Sequence, residues 1–329
     1  MSNAPQMPHT NPLSPPSRRD FLRVGAAAAG LGLVPGSLFS AATVNASMTM
    51  DLDGGRIGVD VPLHEAIRLA AQHGFESVAP RTDQVARLSE AELQRIRREL
   101  DANNLVFGAT GLPVDFRRDE ATFQQGMDRL PEVAQVFERA GVSRVGTWIM
   151  PAHATRTYRQ NFRQHAERLR RIAEVLAAHN VRLGLEYVGT KTLWASERYP
   201  FIHTMAETKE LIDAIGLANV GFVLDSWHWH NAGETQEDIL TLEDRDVVAV
   251  DLNDAPFGVA TDQLNDGRRE LPTATGVIDL AAFMEGLDRI GYTGPARAEP
   301  FNERVNRLPT ERAVAVTAAA MKQAFALLR

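Results

Sequence analysis

From about residue 55 the chain alternates short apolar runs with longer amphipathic ones. Residues 56–59 predict a strand and 62–73 a helix. Residues 77–79 predict a short strand. Ser89, with Glu92 three residues on, predicts a capped helix to about residue 103. The alternation continues with strands at 105–108, 144–148, 181–186, 220–224, 247–252 and 295–299. The intervening helices fall at 121–140, 158–179, 204–215, 235–242 and 280–290, and 309–328 closes the chain. Strands alternating with helices imply a parallel sheet. Eight such units over about 270 residues predict a (β/α)₈ TIM barrel, an architecture of about 250 residues in the usual case. A doubly wound sheet fits less well, since no strand is followed by a GxGxxG or P-loop lysine motif. With no linker or composition shift after residue 47, residues 47–329 read as one barrel domain.

The first 46 residues have another pattern. The stretch "SRRDFLRVGAAAAGLGLVPGSLFSAATVNA" opens on the pair Arg18-Arg19, and Phe21 and Leu22 come next. The apolar run over 24–34 is far short of the roughly 20 residues a spanning helix needs. Val44-Asn45-Ala46 supplies small residues suited to cleavage. Residues 1–46 therefore resemble a Tat-type signal peptide, and the expected location is the periplasm or the exterior. The expected partners are the Tat machinery and a small carbohydrate, with no membrane anchor after cleavage. A homo-oligomer is left open. Because Tat export carries folded proteins, a metal can be loaded before export.

Charge and cysteine usage narrow the chemistry. A net charge of -7 argues against nucleic acid, which needs a basic surface. The absence of cysteine excludes disulfides, thiolate metal sites and cysteine nucleophiles. In a barrel of this kind the working residues sit at the C-terminal ends of the strands. The fifth, "RLGLEYVG", ends in Glu186, and the sixth, "VGFVLDSWH", ends in Asp225 with His228 three residues on. The seventh, "VVAVDLNDAP", reaches Asp251 and Asp254, and the eighth, "PARAEPFN", ends in Glu299. Adjacent strands lie about 5 Å apart, so these acids crowd one side of the mouth. A divalent cation resolves that repulsion. Oxygen ligands favour Mn²⁺ or Mg²⁺, and a nearby histidine keeps Zn²⁺ or Co²⁺ open. His228 is expected to touch substrate or metal. His230, His203, Trp227 and Trp229 read as packing or rim residues.

The motifs "LEY", "LDSWH", "DLNDAP" and "AEPF" resemble those of the xylose isomerase-like TIM-barrel sugar isomerases and epimerases. The likeness covers about residues 55–328 and is strongest from Glu186 to Phe301, where "RRELPTATGVIDL" and "IGYTGPARAEPF" also fit. It implies that Glu186 and Glu299 bind one divalent ion and shuttle a proton. It also implies that Asp225 is a ligand, that His228 contacts substrate and that Arg269, with Arg268 next, holds substrate. Many relatives carry a histidine ligand where this chain has Asp251. With Asp251 as fourth ligand the site carries excess negative charge. Three resolutions are open: one acid is protonated, Lys191 or an arginine compensates, or Asp251 stands outside the ligand shell. The endonuclease IV branch needs more histidines than this acidic chain has. The expected reaction is isomerisation or epimerisation of a keto sugar through an enediolate. The alternatives are elimination from a keto-inositol or 3-keto-glycoside on the same site, and a non-catalytic sugar-binding barrel.

Overall fold

The computed structural model describes residues 48–328; the expected leader and its cleavage site lie outside the described residues. The strands are β1 Thr49–Leu52, β2 Ser77–Val78, β3 Val106–Phe107, β4 Thr110–Gly111, β5 Arg144–Trp148 and β6 Ala152–His153, then β7 Arg182–Glu186, β8 Tyr199–Pro200, β9 Val220–Asp225, β10 Val247–Leu252 and β11 Pro295–Ala298. Nine of them form one parallel sheet in the order β3-β2-β1-β11-β10-β9-β7-β5-β4. Its two ends, β3 and β4, are separated in the chain only by Gly108 and Ala109. The third barrel position is thus one broken strand, and the sheet closes on itself as an eight-position barrel. β6 and β8 pair separately as a small antiparallel ribbon near the mouth.

Among the described residues twelve α-helices intervene. They are α1 Leu63–His73, α2 Thr82–Val85, α3 Glu90–Ala102, α4 Glu120–Ala140, α5 Tyr158–Ala177 and α6 Lys191–Trp194, then α7 Met205–Ile215, α8 Ser226–Ala232, α9 Gln236–Ile239, α10 Leu280–Arg289, α11 Glu303–Asn306 and α12 Thr310–Phe325. The Ser89 side chain accepts from Glu92 N while Glu92 accepts from Ser89 N, so α3 starts where the capping pattern places it. None of the described helices is long and apolar enough to cross a membrane. The central strands β9 and β10 are buried along their whole length, which is why they read as continuous apolar runs.

The pattern misplaces the first strand. Residues 54–57 form a 3₁₀ turn, capped by the Asp53 side chain and closed by Gly58 at φ 73°. The strand is "TMDL", which lies before the expected span and is polar at Thr49 and Asp51. Asp51 pairs in register with Arg297, Arg297 with Asp251, and Asp251 with Asp225. Residues in register on parallel strands point to the same face. These four charged side chains therefore form one inward layer, and it interrupts the apolar pattern of the short strands.

The break in the third strand falls beside this layer. A β-carbon on Gly108 would lie 2.2 Å from an Asp51 carboxylate oxygen. Only glycine leaves room for the acid.

Candidate active site

Side chains alternate along a strand, so Glu299, two residues beyond Arg297, lies on the same inward side one layer nearer the mouth. Glu186 closes β7 opposite Trp148 of β5. The result is a buried cluster of Glu186, Asp225, Asp251 and Glu299. Single ligand atoms of Glu186, Asp251 and Glu299 lie within 4.8 Å of one another, and so do those of Glu186, Asp225 and His228. The four acids expected to gather at the mouth are thus together. Asp254 is not among them. Its oxygens accept from the backbone N–H groups of Ala255, Thr275, Gly276 and Ile278 at 2.7–3.1 Å, pinning the loop after β10.

The charge question has an answer in arginines. Arg297 meets Asp251 through Nε at 2.6 Å and Nη2 at 3.3 Å, and donates to the Ala109 carbonyl at 3.1 Å. Burial alone would raise Asp251, but Arg297 and then Arg56 outweigh it and hold the carboxyl below its usual range. Arg269 Nη1 bridges Asp225 Oδ2 at 2.7 Å and Glu299 Oε2 at 2.8 Å. Arg56 reaches the other Glu299 oxygen, Oε1. Lys191 plays no part: it faces Asp262 at 3.4 Å on the surface. Among the described residues, Glu186 alone of the four has no arginine within ion-pair distance. Burial, then Asp251 and Asp225, push its carboxyl well above the ordinary carboxylate range.

Asp225 also organises the segment after β9. Its Oδ1 accepts from Trp227 N at 2.8 Å and Asn253 Nδ2 at 2.7 Å, which makes it the N-cap of α8. This helix, absent from the sequence expectation, carries His228 back over the cluster. Gly189 N faces His228 Nδ1 at 3.3 Å. Around Nε2 stand Glu186 and Asp225 oxygens at 3.6 Å and an Asp266 oxygen at 3.8 Å. Three carboxylates favour a proton on Nε2, although Arg269 Nη2 also lies 3.4 Å from it. Burial lowers the ring's pKa and keeps it neutral. A protonated Nε2 has no lone pair for a metal, so His228 suits donation to a substrate oxygen.

The remaining expectations divide. Trp227 and Trp229 are buried core residues. His203 stacks on Trp194 at 4.9 Å and faces Phe201 O, a rim role. Arg268 is exposed, in the wall of an outer cavity, while Arg269 is buried in the site. The motifs do not single out Arg56, Arg297 or Asp51. "PARAEPF" does hold one signal for Arg297, a charge two residues before a strand-end acid.

The acids fit a divalent ion. Their oxygens converge, Glu186 has no arginine partner among the described residues, and the arginine pairs of the other three leave lone pairs unused. An ion would compete with Arg269 for Asp225 and Glu299.

Comparison with known proteins places the chain. The inosose isomerase of Bacillus velezensis is 23% identical over 265 residues, 77% of this chain and 88% of that protein. The 3-dehydroshikimate dehydratase of Pseudomonas aeruginosa is 32% identical over 147 residues, 44% of this chain but only 22% of that protein. A xylose isomerase domain protein from Alicyclobacillus acidocaldarius superposes with a TM-score of 0.74 at 30% identity, covering 85% of this chain and 99% of its own. The IOLI protein, solved with a bound zinc atom, superposes at 0.71 with 20% identity over 84% of this chain and 98% of its own. With residues 67–324 matching the family as a whole, the chain belongs to the xylose isomerase-like TIM barrel family.

Proposed function

We propose that the chain is a metal-dependent isomerase or epimerase of a keto sugar or keto-cyclitol, working through an enediolate. The observation that carries this reading is the pair of buried glutamates, Glu186 and Glu299, with ligand oxygens within 4.8 Å of each other and of Asp251. Binding alone needs no two opposed bases, which disfavours a non-catalytic sugar-binding barrel. A divalent ion held by Glu186, Asp225, Glu299 and Asp251 would polarise the substrate carbonyl and stabilise the enediolate. Glu299, paired with Arg56 and Arg269, takes the carbon-bound proton. Glu186, whose burial favours its protonated form, gives its own proton to the carbon from the other side. His228 donates through Nε2 to a substrate oxygen, and Arg269 holds the substrate from the loop after β10. Oxygen ligation with His228 outside the shell favours Mn²⁺ or Mg²⁺. Co²⁺ and the zinc of the IOLI protein are the other ions to compare.

A second reading is elimination of a β-leaving group from the same intermediate. The similarity to a 3-dehydroshikimate dehydratase supports it. Incubating metal-loaded protein with a panel of ketoses, inososes and keto-glycosides, and monitoring products by NMR, separates the outcomes. An epimer or isomer supports the first reading, and an unsaturated product the second. No product from any member contradicts both.

We further propose that Arg18-Arg19 directs the folded chain across the membrane by the Tat route. Replacing both by Lys should leave precursor in the cytoplasm. Mature periplasmic protein in a strain without the Tat translocase contradicts the assignment.

A further inference from the structure

On the side of the mouth built by the first three barrel positions lies a cavity of about 500 Å³ that the reaction above does not use. Its inner wall includes Asp53, Arg56 and Ala109. Each of these touches the charged cluster. Arg56 Nη1 meets Glu299, Asp53 Oδ2 lies 3.5 Å from Arg297 Nη1, and the Ala109 carbonyl accepts from Arg297 at 3.1 Å. The cavity and the acid cluster therefore share a wall. Ligand pockets typically hold about 300–1,000 Å³, so there is space here for a whole second unit of a substrate.

Charge and polarity select that unit. Arg56 is spent on Asp53 and Glu299, and Arg81 on Asp60 and Asp83. Arg129, on the outer wall, makes no ion pair among the described residues. The paired arginines and aspartates offer donors and acceptors together and largely cancel in charge beside the acid cluster, which leaves the exposed Arg129 as the one unpaired cation among the described lining residues. Pro80 and Pro113 add apolar wall, suited to the C–H faces of a ring. A neutral polyhydroxylated ring matches this mixture.

We propose that this cavity is a second subsite for a neutral glycosyl unit, so that the preferred substrate is a keto sugar ring carrying a second sugar. The inference rests on the keto-sugar reading above and deepens it. In binding the two rings, the keto ring would sit over Glu186 and Glu299 and the glycosidic link would pass Arg56.

The test compares a free keto-hexopyranose with the same ring bearing an α-linked glucose, and with the same ring bearing a glucuronate. For the wild-type protein kcat/KM should be at least tenfold higher for the glucoside than for the free ring. Ala86→Phe, projecting into the cavity from the end of α2 and away from the acids, should remove that advantage and leave the free ring unchanged within twofold. Arg129→Ala, an exposed change that spares folding, should reduce the advantage at least threefold. Equal turnover of free ring and glucoside overturns the subsite but leaves the keto-sugar reading intact. A preference for the glucuronate overturns its neutral character. Calorimetry with the non-reactive parent disaccharide separates the two levels. If binding is lost in Ala86→Phe while no probe reacts, the subsite stands and the catalytic reading falls. If the wild-type protein neither binds nor converts any probe, both fall.

Discussion

Glu186→Gln and Glu299→Gln should each lower kcat by about 10²–10⁴, the usual contribution of a positioned general acid or base. Both side chains are buried in the mouth, so water cannot readily replace them as proton carriers. An amide is also the poorer ligand, and metal content must be matched before rates are compared. His228→Ala should behave differently. It removes a donor to substrate, so KM should rise while the ion stays bound. If both glutamine variants, at matched metal content, keep more than a tenth of wild-type kcat, the glutamates serve only as ligands.

Arg297→Met should destabilise the barrel by about 3–5 kcal/mol, the cost of leaving a buried charge without its partner. Arg297 answers Asp251 at 2.6 Å and lies beside Asp51, neither of whose oxygens has a hydrogen-bond partner among the described residues. The loss should deepen as pH rises. Burial lifts Asp51 to about 7 against the pull of Arg297. Below that pH the acid is largely neutral in the folded protein and tolerates losing its cation. Above it, the wild-type fold holds an ionised Asp51 that the variant must keep without Arg297. Denaturant titrations at pH 5 and pH 8 should show the larger deficit at pH 8. The double change Asp251→Asn with Arg297→Met should recover part of the loss, because it removes charge and counter-charge together. A single variant within about 0.5 kcal/mol of wild type would mean that the pair contributes nothing beyond an ordinary surface change.

Most of the barrel was legible because its strands read as short apolar runs, buried along their whole length in β9 and β10, and its helices show one apolar stripe. Residues 144–148 and 247–252 match β5 and β10 residue for residue. The acids at Glu186, Asp225 and Asp251 were legible for the same reason, since each ends or interrupts a run otherwise apolar, and Glu299 because it closes "PARAE" just before Pro300. The first strand was not, because Asp51 and Thr49 face inward and erase the apolar signal over only four residues. Its partner Arg297 was hidden likewise, as an arginine within a four-residue strand. The helix α8 spans seven residues, too few to show a helical period, and its alternating "WHWH" masks it further. Its start is fixed by the Asp225 cap, a tertiary detail. Arg56 escaped notice because it lies in a 3₁₀ turn whose role appears only when β1 and β11 are side by side.

The central claim is that Glu186 and Glu299 move a proton on and off carbon from opposite sides of the substrate. The direct measurement is solvent deuterium exchange, by NMR, into each of two epimeric keto sugars. The wild-type protein should label both. Each single glutamine variant, at matched metal content, should label one epimer only, and the two variants should label opposite ones. Labelling of both epimers at the wild-type rate by both variants would contradict the account.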